Sequence, residues 1–202
     1  MMLKELFGFD STESAVVPDA LSGTDKQTLV DILCDAATMM PFTAAEAKTA
    51  AAYMLLRSFR EGEVIIAEGS RTNLDYMLWV LEGEATFEAF AGSGAGKPVT
   101  VTVLGAGSAL GTMSMVDGEP RSLQGVASMP TRCAMLTRSQ LKKLCGDHPQ
   151  VGIKLMAVLC LIFSQTLRNL TTKFKCHVRL NNALNAELMG KDAASFEFED
   201  AL

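Results

Sequence analysis

The sequence predicts an α+β protein: an antiparallel β-roll of the double-stranded jelly-roll type, flanked by N-terminal helices and a long C-terminal dimerisation helix. Three observations predict it. Short apolar or β-branched runs follow one another from Phe59 to Leu136, separated by glycine-bearing turns and with no helical pattern between them. Helical periodicity is confined to the segments before and after that region. The last of those segments, Pro149 to about Arg179, repeats apolar residues in alternating steps of three and four.

In chain order, the first 23 residues are mixed, and Pro18 and Gly23 interrupt any long element. Thr24 and Asp25 can cap a first helix whose face carries Leu29, Ile32, Leu33 and Ala36, with Pro41 ending it. Thr43 followed by Glu46 is a capping-box pattern for a second helix through about Leu56. Strands are expected at Glu63–Ala67, Tyr76–Leu81, Ala85–Phe90, Val99–Leu104, Leu123–Ala127 and Cys133–Thr137. Ala91–Pro98 reads as a flexible hairpin loop. It imitates a nucleotide-binding P-loop, but Ala91 stands where a glycine is needed and Pro98 replaces the magnesium-binding hydroxyl. A short helix, Ser139–Cys145, precedes Pro149.

In the long helix, Ile153, Met156, Cys160, Phe163, Leu167, Leu170 and Phe174 form a heptad seam. Val151, Leu155, Val158, Leu159 and Ile162 make a second apolar face. One face can cover the roll while the other meets a second copy of the chain. The expected organisation is residues 1–41 as an N-terminal segment with one helix, 42–148 as the roll with flanking helices, 149–180 as the dimerisation helix and 181–202 as an acidic tail.

Composition narrows the function. With 202 residues of which 49% are hydrophobic, the chain can bury one sizeable core. A net charge of −5 argues against general nucleic-acid binding. The five scattered cysteines include no CxxC pair, and read as reduced core residues of a cytoplasmic protein. The longest apolar run, Leu155–Phe163, is about half of a membrane span, so no membrane association is expected. His148 and His177 both lie outside the expected roll, and no nucleophile–base pair stands out. No catalytic residue, metal ligand or cofactor is therefore assigned, and the chain reads as non-enzymatic.

The segment Gly111–Leu123, GTMSMVDGEPRSL, carries the ligand chemistry. A glycine opens a short turn, and an arginine and a hydroxyl follow a second glycine, a set suited to one bound phosphate. Together with FREGEVIIAEG (Phe59–Gly69) and LEGEATF (Leu81–Phe87), this segment resembles the cyclic nucleotide-binding domain of the catabolite-activator type, from about Phe42 to Phe174. The resemblance implies that Arg121 pairs with the cyclic phosphate and that Ser122 reaches it as well. It places Gly111, Met113 and Ser114 on the turn lining ribose and phosphate. The family's glutamate, which holds the ribose 2′-hydroxyl, falls at Thr112. A hydrogen bond to a charged acceptor is worth roughly 1.5–3 kcal/mol, so its loss weakens binding by about one to two decades. The implied ligand is cAMP, cGMP or another cyclic nucleotide.

The catabolite-activator pattern also implies a helix-turn-helix domain after the long helix. Only 24 residues follow Val178 in this sequence, including Gly190 and the acidic FEFEDAL, too few for DNA-reading helices. Direct DNA binding is not expected, and the output passes to a protein partner. The alternative is a ligand-independent dimeric interaction module in which the cassette is vestigial. Arg168, Lys173, Lys175 and Arg179 make the end of the long helix basic, either as a solvated face or as a docking surface.

Overall fold

The computed structural model describes residues 19–71, 74–89 and 99–188. The expected loop Ala91–Pro98 and most of the acidic tail lie outside them. The chain divides into two units, Met1–Leu159 and Cys160–Leu202. In the first, β1 (Asp19–Ala20), α1 (Gly23–Asp35) and α2 (Ala44–Ala51) precede β2 (Leu55–Phe59), β3 (Val64–Ile66), β4 (Tyr76–Glu82), β5 (Glu84–Ala89), β6 (Val99–Gly105) and β7 (Ala109–Leu110). Then follow α3 (Thr112–Asp117), β8 (Gln124–Ala127), β9 (Thr131–Thr137) and α4 (Arg138–Asp147). A long helix, α5 (Pro149–Leu188), begins in the first unit and supplies the described part of the second.

The strands form two antiparallel sheets, ordered β1-β2-β9-β4-β7 and β3-β8-β5-β6. Inner-face residues such as Phe59, Ile65, Leu78, Phe87 and Met135 make the core between them. The α+β roll expected from the sequence is the fold observed. Strand β4 is buried from Tyr76 to Leu81 because α1 packs against it, so it reads as a continuous apolar run and Trp79 is core.

The chain passes from one sheet to the other at Gly83, between β4 and β5. Its φ is +93°, and a Cβ there would lie 2.5 Å from the carbonyl oxygen of Pro130. Only glycine fits. The Thr131 hydroxyl closes the same corner, accepting from the Glu84 N–H at 3.1 Å.

Several expected boundaries move. Helix α1 is capped by Ser22, not by Thr24 or Asp25. The Ser22 hydroxyl accepts from the Asp25 N–H at 3.2 Å, and the Asp25 carboxylate accepts from the Ser22 N–H at 3.1 Å. Asp25 is buried and also accepts from Arg132 of β9 at 2.7 Å, which fixes α1 to the sheet. The helix ends at Asp35, before Pro41. The Thr43–Glu46 capping box forms as expected, but α2 stops at Ala51. Leu55 and Leu56 belong instead to β2, where they pair with Met135 and Ala134 of β9, because sheet pairing overrides the helical tendency of the alanine-rich run. Helix α5 continues past Arg179 to Leu188. All five cysteines are free. Cys133 is buried, but Cys160 and Cys176 are exposed and do not belong to the core.

On α5, Val151, Leu155, Val158 and Leu159 are buried, whereas Ile153, Met156 and Cys160 on the seam are exposed. Farther along, Leu167 and Phe174 are 65% and 67% exposed, Leu170 is exposed, and Phe163 is half-buried. By length and composition Pro149–Ala186 is apolar enough to cross a membrane. Its apolar residues, however, form a heptad stripe, and four basic residues stand in its distal half.

Lys154 of α5 donates to Glu46 of α2 at 2.7 Å and to the Pro41 carbonyl at 2.9 Å. The Lys154 hydrogen bond, seconded by those from Thr43, holds the Glu46 carboxyl down at about 2. A carboxylate with a depressed folded-state pKa stabilises the fold above its unfolded value, and that stability is lost as pH falls through the folded value. Glu46→Gln is therefore expected to lower stability at neutral pH and to flatten the fall in stability between about pH 4.5 and 2, measured by denaturant unfolding across an acid series.

Candidate phosphate-binding site

Arg121 is the centre of the segment singled out in the sequence. It follows Pro120 with its side chain turned inward, and is 4% exposed. Its Nη1 donates to the Gly111 carbonyl at 2.7 Å and its Nη2 to the Tyr76 carbonyl at 3.0 Å. The guanidinium carbon lies 4.9 Å from the centre of the Tyr76 ring. Arg57, also buried, stands 5.4 Å from the same ring and 5.0 Å from that of Phe59. Two guanidinium groups thus converge on one aromatic ring inside the roll, each within the range of a cation–π contact.

The backbone around Arg121 is fixed as tightly as its side chain. Its carbonyl accepts from the Gly69 N–H at 2.8 Å, and its own N–H donates to the Ser70 carbonyl at 3.3 Å. Gly111 begins α3 with a φ of +70°, and a Cβ there would fall 2.5 Å from Arg121 Nη1. Glycine is required at this position because the guanidinium occupies that space.

Of the six residues assigned from the sequence, the structure joins Gly111 and Arg121 directly. Thr112 and Ser114 are buried on α3. Met113 and Ser122 are exposed. Asp117 and Glu119 face solvent, so they do not crowd the arginine with buried charge. Tyr76, Arg57 and Arg138 did not emerge from the sequence. Tyr76 opens an apolar strand and looks like ordinary core, and Arg57 sits on a strand whose alternation gives no hint that a cation points inward.

Cys133 lies opposite Arg57 in the β2–β9 ladder. Burial pushes its thiol up to about 12 against the opposing pull of the Arg57 charge. A thiol held neutral in this way has no nucleophilic role.

A β-roll with a buried arginine behind a glycine-opened cassette is the architecture of a ligand-binding regulatory domain. Residues 56–148 match the family model described as the cyclic nucleotide-binding domain. The chain is 30% identical to a cyclic nucleotide-binding domain from Methylobacillus flagellatus KT, covering 74% of this chain and 83% of that one at a TM-score of 0.67. It therefore belongs to the cyclic nucleotide-binding domain family.

Its fold is shared with the catabolite activator protein of Thermus thermophilus (24% identity, 68% and 61% coverage of this chain and that one, TM-score 0.56). The fold is likewise shared with the regulatory domain of Toxoplasma gondii PKA, solved with cAMP (22% identity, 71% and 50% coverage, TM-score 0.55). No curated protein matches the chain.

Burial and double use of Arg121 generate a stability prediction. Arg121→Ala strands the Gly111 and Tyr76 carbonyls in the interior and is expected to cost about 2–4 kcal/mol in chemical denaturation. Ser122→Ala, at an exposed position, should change stability by no more than about 0.5 kcal/mol.

Proposed function

We propose that this chain is a non-enzymatic regulatory sensor that binds a cyclic nucleotide-like phosphate ligand at the cassette and signals through α5 to a protein partner, acting as a homodimer in the cytoplasm. The observation that carries this reading is Arg121: a permanently charged group, almost fully buried, held at the start of α3 by backbone carbonyls. A cyclic phosphodiester bears one negative charge and presents acceptor oxygens that match a guanidinium. Gly111, Thr112, Met113, Ser114 and Ser122 would complete the site, with Thr112 giving the ribose side a weaker grip than an acid would.

Dimerisation through α5 is supported by the exposed seam. An unburied row of Leu167, Leu170 and Phe174 at heptad spacing is satisfied by an identical row on a second helix. The same pairing removes the apolar face from solvent without a membrane. Five free cysteines fit a reducing compartment. The regulatory family to which the chain belongs supports a non-catalytic role. A specific observation also favours the second reading, a constitutive interaction module: Thr112 stands in place of the glutamate, and the Arg121 guanidinium already donates to two carbonyls.

Thermal unfolding with cAMP separates the two readings. At a ligand concentration about a hundredfold above Kd, wild-type protein is expected to gain about 2.7 kcal/mol. Arg121→Ala should gain nothing relative to its own ligand-free midpoint. No shift in the wild type at millimolar cAMP would favour the constitutive module.

The dimer has its own test. In a parallel, in-register pair, Cys160 meets its counterpart on the seam, whereas Cys176 lies off it. Mild oxidation with oxidised glutathione should give a covalent dimer on a non-reducing gel that disappears in Cys160→Ser and persists in Cys176→Ser. Loss in the Cys176 variant alone would contradict the seam.

A further inference from the structure

Helix α3 is gripped at both ends by arginines. Arg121 holds the carbonyl of Gly111 at its start. At its other end Arg138, the first residue of α4, donates from Nε to the Met115 carbonyl at 2.8 Å and from Nη2 to the Ser114 carbonyl at 3.1 Å. The Arg138 backbone N–H in turn donates to the Asp75 carbonyl at 2.6 Å. Asp75 immediately precedes Tyr76, whose carbonyl accepts from Arg121. The two arginines, the helix between them and the Asp75–Tyr76 peptide therefore close a ring of hydrogen bonds.

We propose that Arg138 is a positioning residue that couples the cassette to α4, so that α3 and the start of α4 move as one body when a ligand draws on Arg121. The coupling rests on the ligand reading above, whereas the grip itself does not. A phosphate arriving at Arg121 competes with the Gly111 and Tyr76 carbonyls for the same N–H groups and loosens the first end of α3. Arg138 keeps the second end attached.

Two adjacent carbonyls presented side by side need two N–H donors in a fixed fork, which a guanidinium supplies and an ammonium does not. Gly118 ends α3 with a φ of +78°, in the left-handed region that favours glycine, and a Cβ there would make only ordinary contact with Arg138. From Arg138 the helix runs to Asp147, whose carboxylate accepts from the Tyr53 hydroxyl at 2.8 Å just before α5 begins at Pro149. A displacement of α3 is thus delivered to the first turn of the element that leads into the long helix.

The test is amide hydrogen exchange on the full chain, wild type against Arg138→Gln and Arg138→Lys, with cAMP affinity measured in parallel. The amides to follow are Met115, bonded to the Gly111 carbonyl, and Gly118, bonded to the Ser114 carbonyl. In ligand-free Arg138→Gln their exchange is expected to rise about tenfold while amides of the β4–β9 ladder stay within about twofold, since local opening is separable from global unfolding. Arg138→Lys should fall between the two. The Kd for cAMP should rise about tenfold in Arg138→Gln.

Unchanged exchange at Met115 and Gly118 overturns the proposal, and so does an equal rise throughout the ladder, which would make Arg138 part of general stability. If the wild type binds cAMP and Arg138→Gln binds it equally well, the coupling to the ligand site is overturned. If the wild type binds no cAMP, the ligand reading falls with it, and the two amides still decide whether Arg138 holds the helix.

Discussion

A guanidinium keeps its charge at any physiological pH, so burying Arg121 obliges the fold to surround it with acceptors and a polarisable surface. The Gly111 and Tyr76 carbonyls and the face of the Tyr76 ring meet that demand. Each of these partners constrains something else. Gly111 must lack a side chain because Arg121 stands where the Cβ would be. Tyr76 must open β4 at the register that turns its ring inward, opposite Thr137 of β9. The loop before β4 is stitched to the Arg121 backbone through Gly69 and Ser70. The arginine is therefore a structural pin, and under the proposed function it would also be the site's positive charge, with a ligand exchanging the first role for the second. Such an exchange shifts the protein only by the difference in affinity between the two arrangements.

Helix α5 carries the other half of the logic. Its first turns commit Val151, Leu155, Val158 and Leu159 to the core, and Lys154 anchors them to α2. The complementary stripe is left uncovered over the same turns and beyond. One helix thus serves packing with one face and leaves the other exposed, the face that the proposed dimer would cover. That division is what a 3.6-residue helix bearing two apolar faces imposes.

Much of this was legible in the sequence. The six expected strands appear within a residue or two of their places because β-branched runs bounded by glycine have few alternatives. The Thr43–Glu46 box was readable since its partners are three residues apart, and the heptad seam because it repeats. What could not be read depends on long-range pairing. Strand β2 follows an alanine-rich helix without a breaker, and only β9 makes Leu55–Phe59 extended. Thr24 and Asp25 look like caps, yet Ser22 is the cap and Asp25 its partner three residues on, a local box that the sequence reading passed over; only the further bond from Arg132 to Asp25, 107 residues away, is long-range. At the site, Gly111 and Arg121 were visible as spacing. That Arg121 turns inward onto Tyr76, and that Arg138 reaches back to α3, follows from the closure of the roll, and no local pattern encodes it.

The most direct test of Arg121 as the responding group is to observe its guanidinium by ¹⁵N nuclear magnetic resonance while cAMP is added. Binding should move the Arg121 side-chain resonances in a saturable titration with one site per chain, together with the Gly111 and Tyr76 peptide signals whose carbonyls it releases. Saturable cAMP binding with the Arg121 side chain unmoved would contradict its part in the site. A wholly static spectrum at millimolar cAMP would leave Arg121 as a structural pin alone.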